Sequence, residues 1–421
     1  MQAIDSCEAG VRPIAVREVR ITTAPVTAAR LACIDLLRGL VMVIMALDHT
    51  REFFTSAKFA PENLAYTTGP LFFTRFITHF CAPVFFLLAG VSAYMSFLHG
   101  KSVAQVSKFL WTRGLWLVVL DLFVMTYAWT LRHGFWFSGV LWALGWSMVV
   151  MSVLVRLPLR WIAIFGAGMI VTHNLLDTVN PAIFGRFYWL WLMVRGHGGF
   201  WIVPRHSGFF VLFSVVPWVG VMAVGYAMGA LLRRKDWRKT LVALGSALIA
   251  AFLLLRFFHL YGNGSYNMGG LGASGPWTTQ ANLTLTVISF FNTLKYPPSL
   301  QFLLMTLGPS LILLALLDRM NAKHWVARIL LIFGRVPLFY YILHLYLLHA
   351  LAIGVALALH QPFHWLILSG PMRQAPPPHY GHGLAFIYVM WISVVALLYV
   401  PCRWYAGLKD RHKDWVWLRY V

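Results

Sequence analysis

Ten apolar runs, at about 31–54, 76–98, 114–131, 139–155, 161–176, 208–232, 240–260, 299–317, 336–358 and 383–402, dominate the chain. A backbone inside hydrocarbon has no water to bond. Only helices, which pair their N–H and C=O groups internally, or closed barrels can cross it. Periodicity does not separate helix from strand in wholly apolar runs, but length does. A membrane strand takes about 9–11 residues and a helix about 20, and most of these runs fit the helix. The runs at 139–155 and 161–176 are short, so their ends are the least defined. The expected fold is an all-α, polytopic integral membrane bundle of about ten transmembrane helices.

Composition agrees with this class. Charged residues make up 11% of the chain, against about 25% in soluble domains. Aromatic residues at 16% exclude disorder. The net charge is +21, which fits either nucleic-acid binding or the enrichment of Lys and Arg in cytoplasmic loops. The basic residues lie in short clusters between apolar runs, with no basic domain, so nucleic acid is not expected as a partner. With the N-terminus inside, 24 of the 34 Lys and Arg residues fall on the cytoplasmic side, five of them in the RRKDWRK run at 233–239. That asymmetry predicts cytoplasmic termini. The expected organisation is a cytoplasmic tail at 1–30, a transmembrane domain at 31–404 and a cytoplasmic tail at 405–421. Residues 1–30 are too long and too polar for a cleavable signal peptide. Cys7, Cys33, Cys81 and Cys402 form no CxxC and read as small apolar residues.

Ionisable residues inside spans are expensive and therefore mark function. Asp35 and Arg38 share one face near the inner end of the first span, as an ion pair or as a site for a cytosolic anion. Asp48 and His49 lie toward its outer end, and His79 opens the returning second span. The three can converge if the two helices pack side by side. An imidazole beside a carboxylate is what a general base requires. The ninth run carries Arg335 at its inner end, then His344 and His349. These two histidines are five residues apart, so they point about 140° away from each other, and only one is expected to face the interior. Asp121 lies midway along the third span and needs a partner. No ligand spacing supports a metal. Two long outer loops, 177–207 and 261–298, are aromatic-rich and Gly-rich respectively, and the second ends in LKYPPS with Lys295 and Tyr296.

Five blocks carry a resemblance: IDLLRGLVMVIMALDHTREFF, THFCAPVFFLLAG, TLKYPPSLQFLLMTLGP, FGRVPLFYYILHLYLLH and CRWYAGLKDRHKDW. Together they resemble a bacterial branch of the heparan-alpha-glucosaminide N-acetyltransferase-like family of transmembrane acyltransferases, from about 33 to 418. The resemblance implies transfer of an acetyl or acyl group from cytosolic acetyl-CoA, or another acyl-CoA, to an extracytoplasmic glycan or amino sugar. It implies residence in the bacterial inner membrane and a His as base or acyl carrier. In the animal lysosomal member the active His lies in the loop after the first span. Residues 50–78 here contain no His, so the role carries over to a region and not to one residue.

The expected catalytic residues are then His49 or His79, with Asp48 orienting the ring. Arg38, Arg335 and Asp35 are expected at the donor site, where arginines would pair with CoA phosphates. Asp121, Lys295, Tyr296, His344 and His349 are expected to line the substrate path. The expected partners are the bilayer, an acyl-CoA, a glycan acceptor and, as an open option, a second copy of the chain. Two other classes stay open at this point: a transporter or channel with an Asp/His proton relay, and a structural membrane protein with a degenerate site. Paired halves with broken helices would mark a transporter, and no internal repeat is present.

Overall fold

The computed structural model describes residues 32–132, 134–203, 206–264, 275–368, 376–412 and 414–420. The tail at 1–30 and most of the Gly-rich run lie outside the described residues. The helices are α1 (Ala32–Phe54), α2 (Gly69–Leu98), α3 (Val103–Thr130), α4 (Val140–Leu154), α5 (Leu159–Thr178), α6 (Tyr188–Val194), α7 (Trp218–Leu231), α8 (Trp237–Phe257), α9 (Leu283–Phe291), α10 (Leu300–Leu317), α11 (Trp325–Arg335), α12 (Pro337–Ala358), α13 (His364–Leu368) and α14 (Leu384–Arg411). Each of the ten apolar runs carries one of them. Seven are long and apolar enough to cross a membrane: α2, α3, α5, α8, α10, α12 and α14. The apolar helices α4 and α7 are shorter.

The local chemistry explains the ends. Ser102 accepts the Gln105 N–H and the Gln105 side chain accepts the Ser102 N–H, a capping box that starts α3 well before the apolar run. Helix α12 opens on Pro337 at its first position, where the missing N–H has no helical partner to lose. The run at 208–232 is not one helix. Its first part forms strand β3, and α7 begins only after Pro217, because proline lacks the N–H an interior turn needs.

The fold therefore departs from an all-α bundle. Strands β1 (Phe135–Ser138), β2 (Gly198–Val203) and β3 (Ser207–Val211) form a small sheet in the order β1-β3-β2. β1 pairs parallel to β3 and β2 antiparallel to it. Aromatic, β-branched stretches such as GFWIV and GFFV suit a pleated, half-buried surface. Ser138 stitches the sheet to the chain beyond it, donating from Oγ to Phe213 O at 3.0 Å and accepting the Leu212 N–H at 3.1 Å.

Helix α1 carries five charged side chains and packs against α2, α10, α11, α12 and α14. A helix with that content cannot face lipid at tolerable cost, which is why it lies inside the bundle. Close approach to its neighbours uses glycine. A Cβ at Gly39 would lie 1.9 Å from Leu330 O, and one at Gly334 of α11 would lie 1.9 Å from Asp35 O. The α2–α7 pair repeats this, with Gly90 against Met222 O and Gly225 against Leu87 O. Small residues at such crossings let backbones touch where lipid offers no hydrophobic driving force.

Candidate active site

The C-terminal end of α1 places Asp48, His49, Arg51 and Glu52 at one end of the bundle. The loop at 55–68 returns with Glu62, and α2 then supplies Arg75, Thr78 and Cys81. The segment between α9 and α10 adds Lys295 and Tyr296. These residues line a cavity of about 360 Å³, closed on its other sides by Trp129, Gly139, Tyr341, Trp365 and by Phe137, Phe210 and Phe213 from the sheet and the chain following it. Asn292 holds two of these pieces together, donating to Glu62 O at 2.7 Å.

The acids of the cavity are paired with its arginines. Arg75 pairs through Nη1 with Asp48 and through Nε with Glu62 at 2.9 Å. Arg51 pairs with Asp48 at 3.3 Å and with Glu52. Burial by itself would raise the Glu62 carboxyl, but the guanidinium of Arg75 against it holds it well below the usual carboxylate range. Three acids thus share the cavity with four cations, Arg51, Lys58, Arg75 and Lys295. Among the described residues the Lys295 ammonium makes no hydrogen bond or ion pair. It lies 5.1 Å from the Tyr296 ring centre, on the cavity wall. A partly desolvated ammonium in that position attracts an oxyanion or a polarised carbonyl.

The expected residues fall into separate places. His49 lines the cavity. Asp48 turns to Arg51 and Arg75, and the ring partner of His49 is His344, with 2.6 Å between His49 Nδ1 and His344 Nε2. His79 does not line the cavity. It is buried between Phe76 and Phe302, 3.7 Å from Glu62, which is too long for a hydrogen bond. His344 and His349 are both buried, although one was expected to face away from the interior. They reach different partners from one helix, because the π turn at Leu120–Met125 and the irregular end of α3 bring Ala128 O to 2.8 Å from His349 Nδ1. The partner of Asp121 is the start of α4, where the Gly139 N–H donates to Oδ2 at 2.6 Å. That caps a helix N-terminus with a carboxylate. Asp121 therefore sits behind the cavity wall.

Arg38, Asp35 and Arg335 lie away from the cavity. Arg38 donates to Asp35 at 3.0 Å, Gly334 O at 3.2 Å and Ser92 Oγ at 3.0 Å, tying α1 to α11 and α2. Arg335 is exposed and pairs with exposed Asp410 at 3.4 Å. Among the described residues no group of three His, Cys, Asp or Glu side chains is placed to hold a metal.

Reading the sequence span by span passed over Arg51, Glu52, Glu62 and Arg75 as cavity residues. Their signal was scarcity. The chain has only 13 acids, and Asp48, Glu52 and Glu62 crowd into one short stretch beside two arginines.

A comparison with protein families bears on this arrangement. The profile of the heparan-alpha-glucosaminide N-acetyltransferase catalytic domain matches residues 30–263. The chain belongs to that family. No curated protein matches it. Membership of the N-acetyltransferase family and the apolar helices make the chain an integral membrane protein with acetyltransferase ancestry. The matched stretch of the N-acetyltransferase domain contains Asp48, His49, Glu62 and Arg75. Lys295, Tyr296, Tyr341 and Trp365 lie beyond it, so the cavity is completed by residues outside the family match.

Proposed function

We propose that the protein is a membrane acetyltransferase that moves an acetyl or other acyl group from a cytosolic acyl-CoA to an amine or hydroxyl of an extracytoplasmic sugar. The observation that carries the reading is His49, whose ring opens from a buried pair onto a cavity of charged and aromatic side chains within the family-matched domain. In this reading α1, α4 and α7 cross the membrane with the seven longer helices, and both termini are cytoplasmic. The membrane is the bacterial inner membrane.

The reaction needs three things of the chain. A base must remove the proton of the attacking amine or hydroxyl, and His49 Nε2 is the ring atom left for it. A positive group must meet the oxyanion that forms on the thioester carbonyl, and Lys295 is the buried lysine of the cavity wall, without an ion pair among the described residues. The aromatic walls must hold the sugar and exclude water. The acceptor nitrogen or oxygen then bonds to the carbonyl carbon and the carbon–sulfur bond breaks. The proton taken by His49 passes to the departing CoA thiolate. A positioned base contributes about 10²–10⁴-fold. On the cytosolic side Arg335 is the exposed arginine available to CoA phosphates, while Arg38 acts as a tie between helices.

The test uses purified protein in nanodiscs with radiolabelled acetyl-CoA and amino-sugar-terminated oligosaccharides. The expected result is CoA release that depends on the acceptor, label on the sugar, and loss of both in His49→Ala of normal yield and melting behaviour. Absence of CoA release with every acceptor, together with proton-coupled uptake in proteoliposomes, would establish the transporter class instead.

A further inference from the structure

His49 and His344 come from α1 and α12, 295 residues apart, and their rings meet edge to edge. The nitrogens are 2.6 Å apart, the ring centres 4.9 Å, and the planes differ by 17°. A ring nitrogen sits about 1.1 Å from its centre, so these values place both nitrogens on the line joining the rings, the geometry of one straight N–H···N bond. Such a bond needs one donor and one acceptor, and the structure says which is which. The other nitrogen of His344, Nδ1, lies 3.1 Å from the backbone carbonyl of Tyr340. A carbonyl oxygen only accepts, so His344 carries its proton on Nδ1 and presents a lone pair at Nε2. His49 must then carry its proton on Nδ1. Its Nε2 is left as a lone pair, and His49 is a wall residue of the cavity.

We propose that His344 is a positioning residue that, through the Tyr340 carbonyl, fixes His49 as the Nδ1–H tautomer and so makes Nε2 the base of acyl transfer. This rests on the acetyltransferase reading above. Three aromatic rings hold the pair in register. Trp129 stands edge-on to His49 with centres 5.0 Å apart, Tyr340 stacks on His344 at 5.5 Å, and Tyr341 contacts both rings. When His49 takes the acceptor's proton at Nε2, its Nδ1–H continues to donate to His344, which shares the positive charge. The pair does what a carboxylate does for the histidine of a hydrolytic triad. It does so without a second buried anion beside Asp48, whose carboxylate is already bonded to Arg51 and Arg75.

Two variants separate this role from packing. In His344→Leu the acceptor for Nδ1–H is gone, and His49 is free to carry its proton on Nε2, where it cannot act as base. In His344→Gln the side-chain carbonyl can still accept from Nδ1. The expected kinetics are a fall of about 10²–10⁴-fold in kcat for His344→Leu, with KM for acetyl-CoA within about twofold of wild type, and at least tenfold recovery in His344→Gln. Nitrogen-15 NMR of histidine-labelled wild-type protein above pH 7 gives a readout that needs no activity. It should show one residue, absent in His49→Ala, with a protonated Nδ1 and a bare Nε2. A protonated Nε2 at His49 in wild type would overturn the proposal, as would equal kcat in the folded Leu and Gln variants. Wild-type protein that shows the expected tautomer but transfers no acetyl group would refute the acetyltransferase reading and, with it, the catalytic part of this inference.

Discussion

Replacing Arg75 by Met removes the side chain that joins the Asp48 and Glu62 carboxylates at the cavity. Arg75 is buried and bonds Asp48, Glu62 and, at 3.4 Å, Thr78. Among the described residues Asp48 keeps Arg51 after the change, but the Glu62 carboxylate keeps only His79 at 3.7 Å. Removing one partner of a buried pair costs about 3–5 kcal/mol, because the other charge is left uncompensated. The unit from Leu31 to Val421 has 391 residues. At about 2.1 cal/mol/K per residue its unfolding entropy is about 0.8 kcal/mol/K, so the melting temperature should fall by about 4–6 °C. The pH dependence gives the sharper test. In wild type the Glu62 pKa is lowered, so its contribution is present above the ordinary carboxylate pKa of the unfolded chain and is lost as pH falls through the lower folded value. Without Arg75, burial dominates and the folded pKa rises above the unfolded one. That variant loses stability as pH rises through about 4–7. The gap between variant and wild type should therefore be widest at pH 8 and narrow toward pH 5. Adding Glu62→Gln should restore a substantial part of the loss at pH 8. Intrinsic-fluorescence melting in detergent from pH 5 to 9 measures all three. A gap that is constant with pH, or a double variant no better than Arg75→Met alone, would refute the account of Glu62 as a buried, ionised partner of Arg75.

Arg335→Ala should raise KM for acetyl-CoA severalfold with little change in KM for the acceptor, while Arg38→Ala should lower melting temperature and leave donor KM near wild type; steady-state kinetics on both checks the division. Gly225→Leu should abolish correct assembly, since its Cβ would lie 2.1 Å from Leu87 O, whereas Gly407→Leu, with nothing within 4 Å, should be tolerated; monodisperse yield on size exclusion distinguishes them. A cysteine placed at Asp236 should be labelled by membrane-impermeant reagents only after cells are opened, and labelling of intact cells would remove the ten-span topology.

Much of this protein was legible residue by residue. Lipid imposes one rule on backbone, internal pairing, and each of the ten apolar runs contains a helix, seven of them long and apolar enough to cross a membrane. The end of α1 was recognisable because Asp48 and His49 are costly in an apolar run, and the ion pair of Asp35 with Arg38 followed from their spacing of three. The strand at Ser207–Val211 escaped this reading, since an apolar run of aromatic and β-branched residues looks the same in a sheet as in a spanning helix. Pro217 was the local sign that the helix could start only after it.

Facing was decided by tertiary structure alone. Side chains that meet lipid and side chains that meet the bundle are both apolar, so the sequence carries little periodic mark of how each helix is rotated. Hence His79 and His49, similar in depth along adjacent helices, received different surroundings: one is packed beside Phe302, and the other opens on the cavity. For the same reason the partner of His49 proved to be His344 and not the neighbouring Asp48. Composition and hydropathy determine that the chain lives in a membrane as helices. The glycine crossings between those helices, where backbones touch and leave no freedom to turn, determine which polar groups meet.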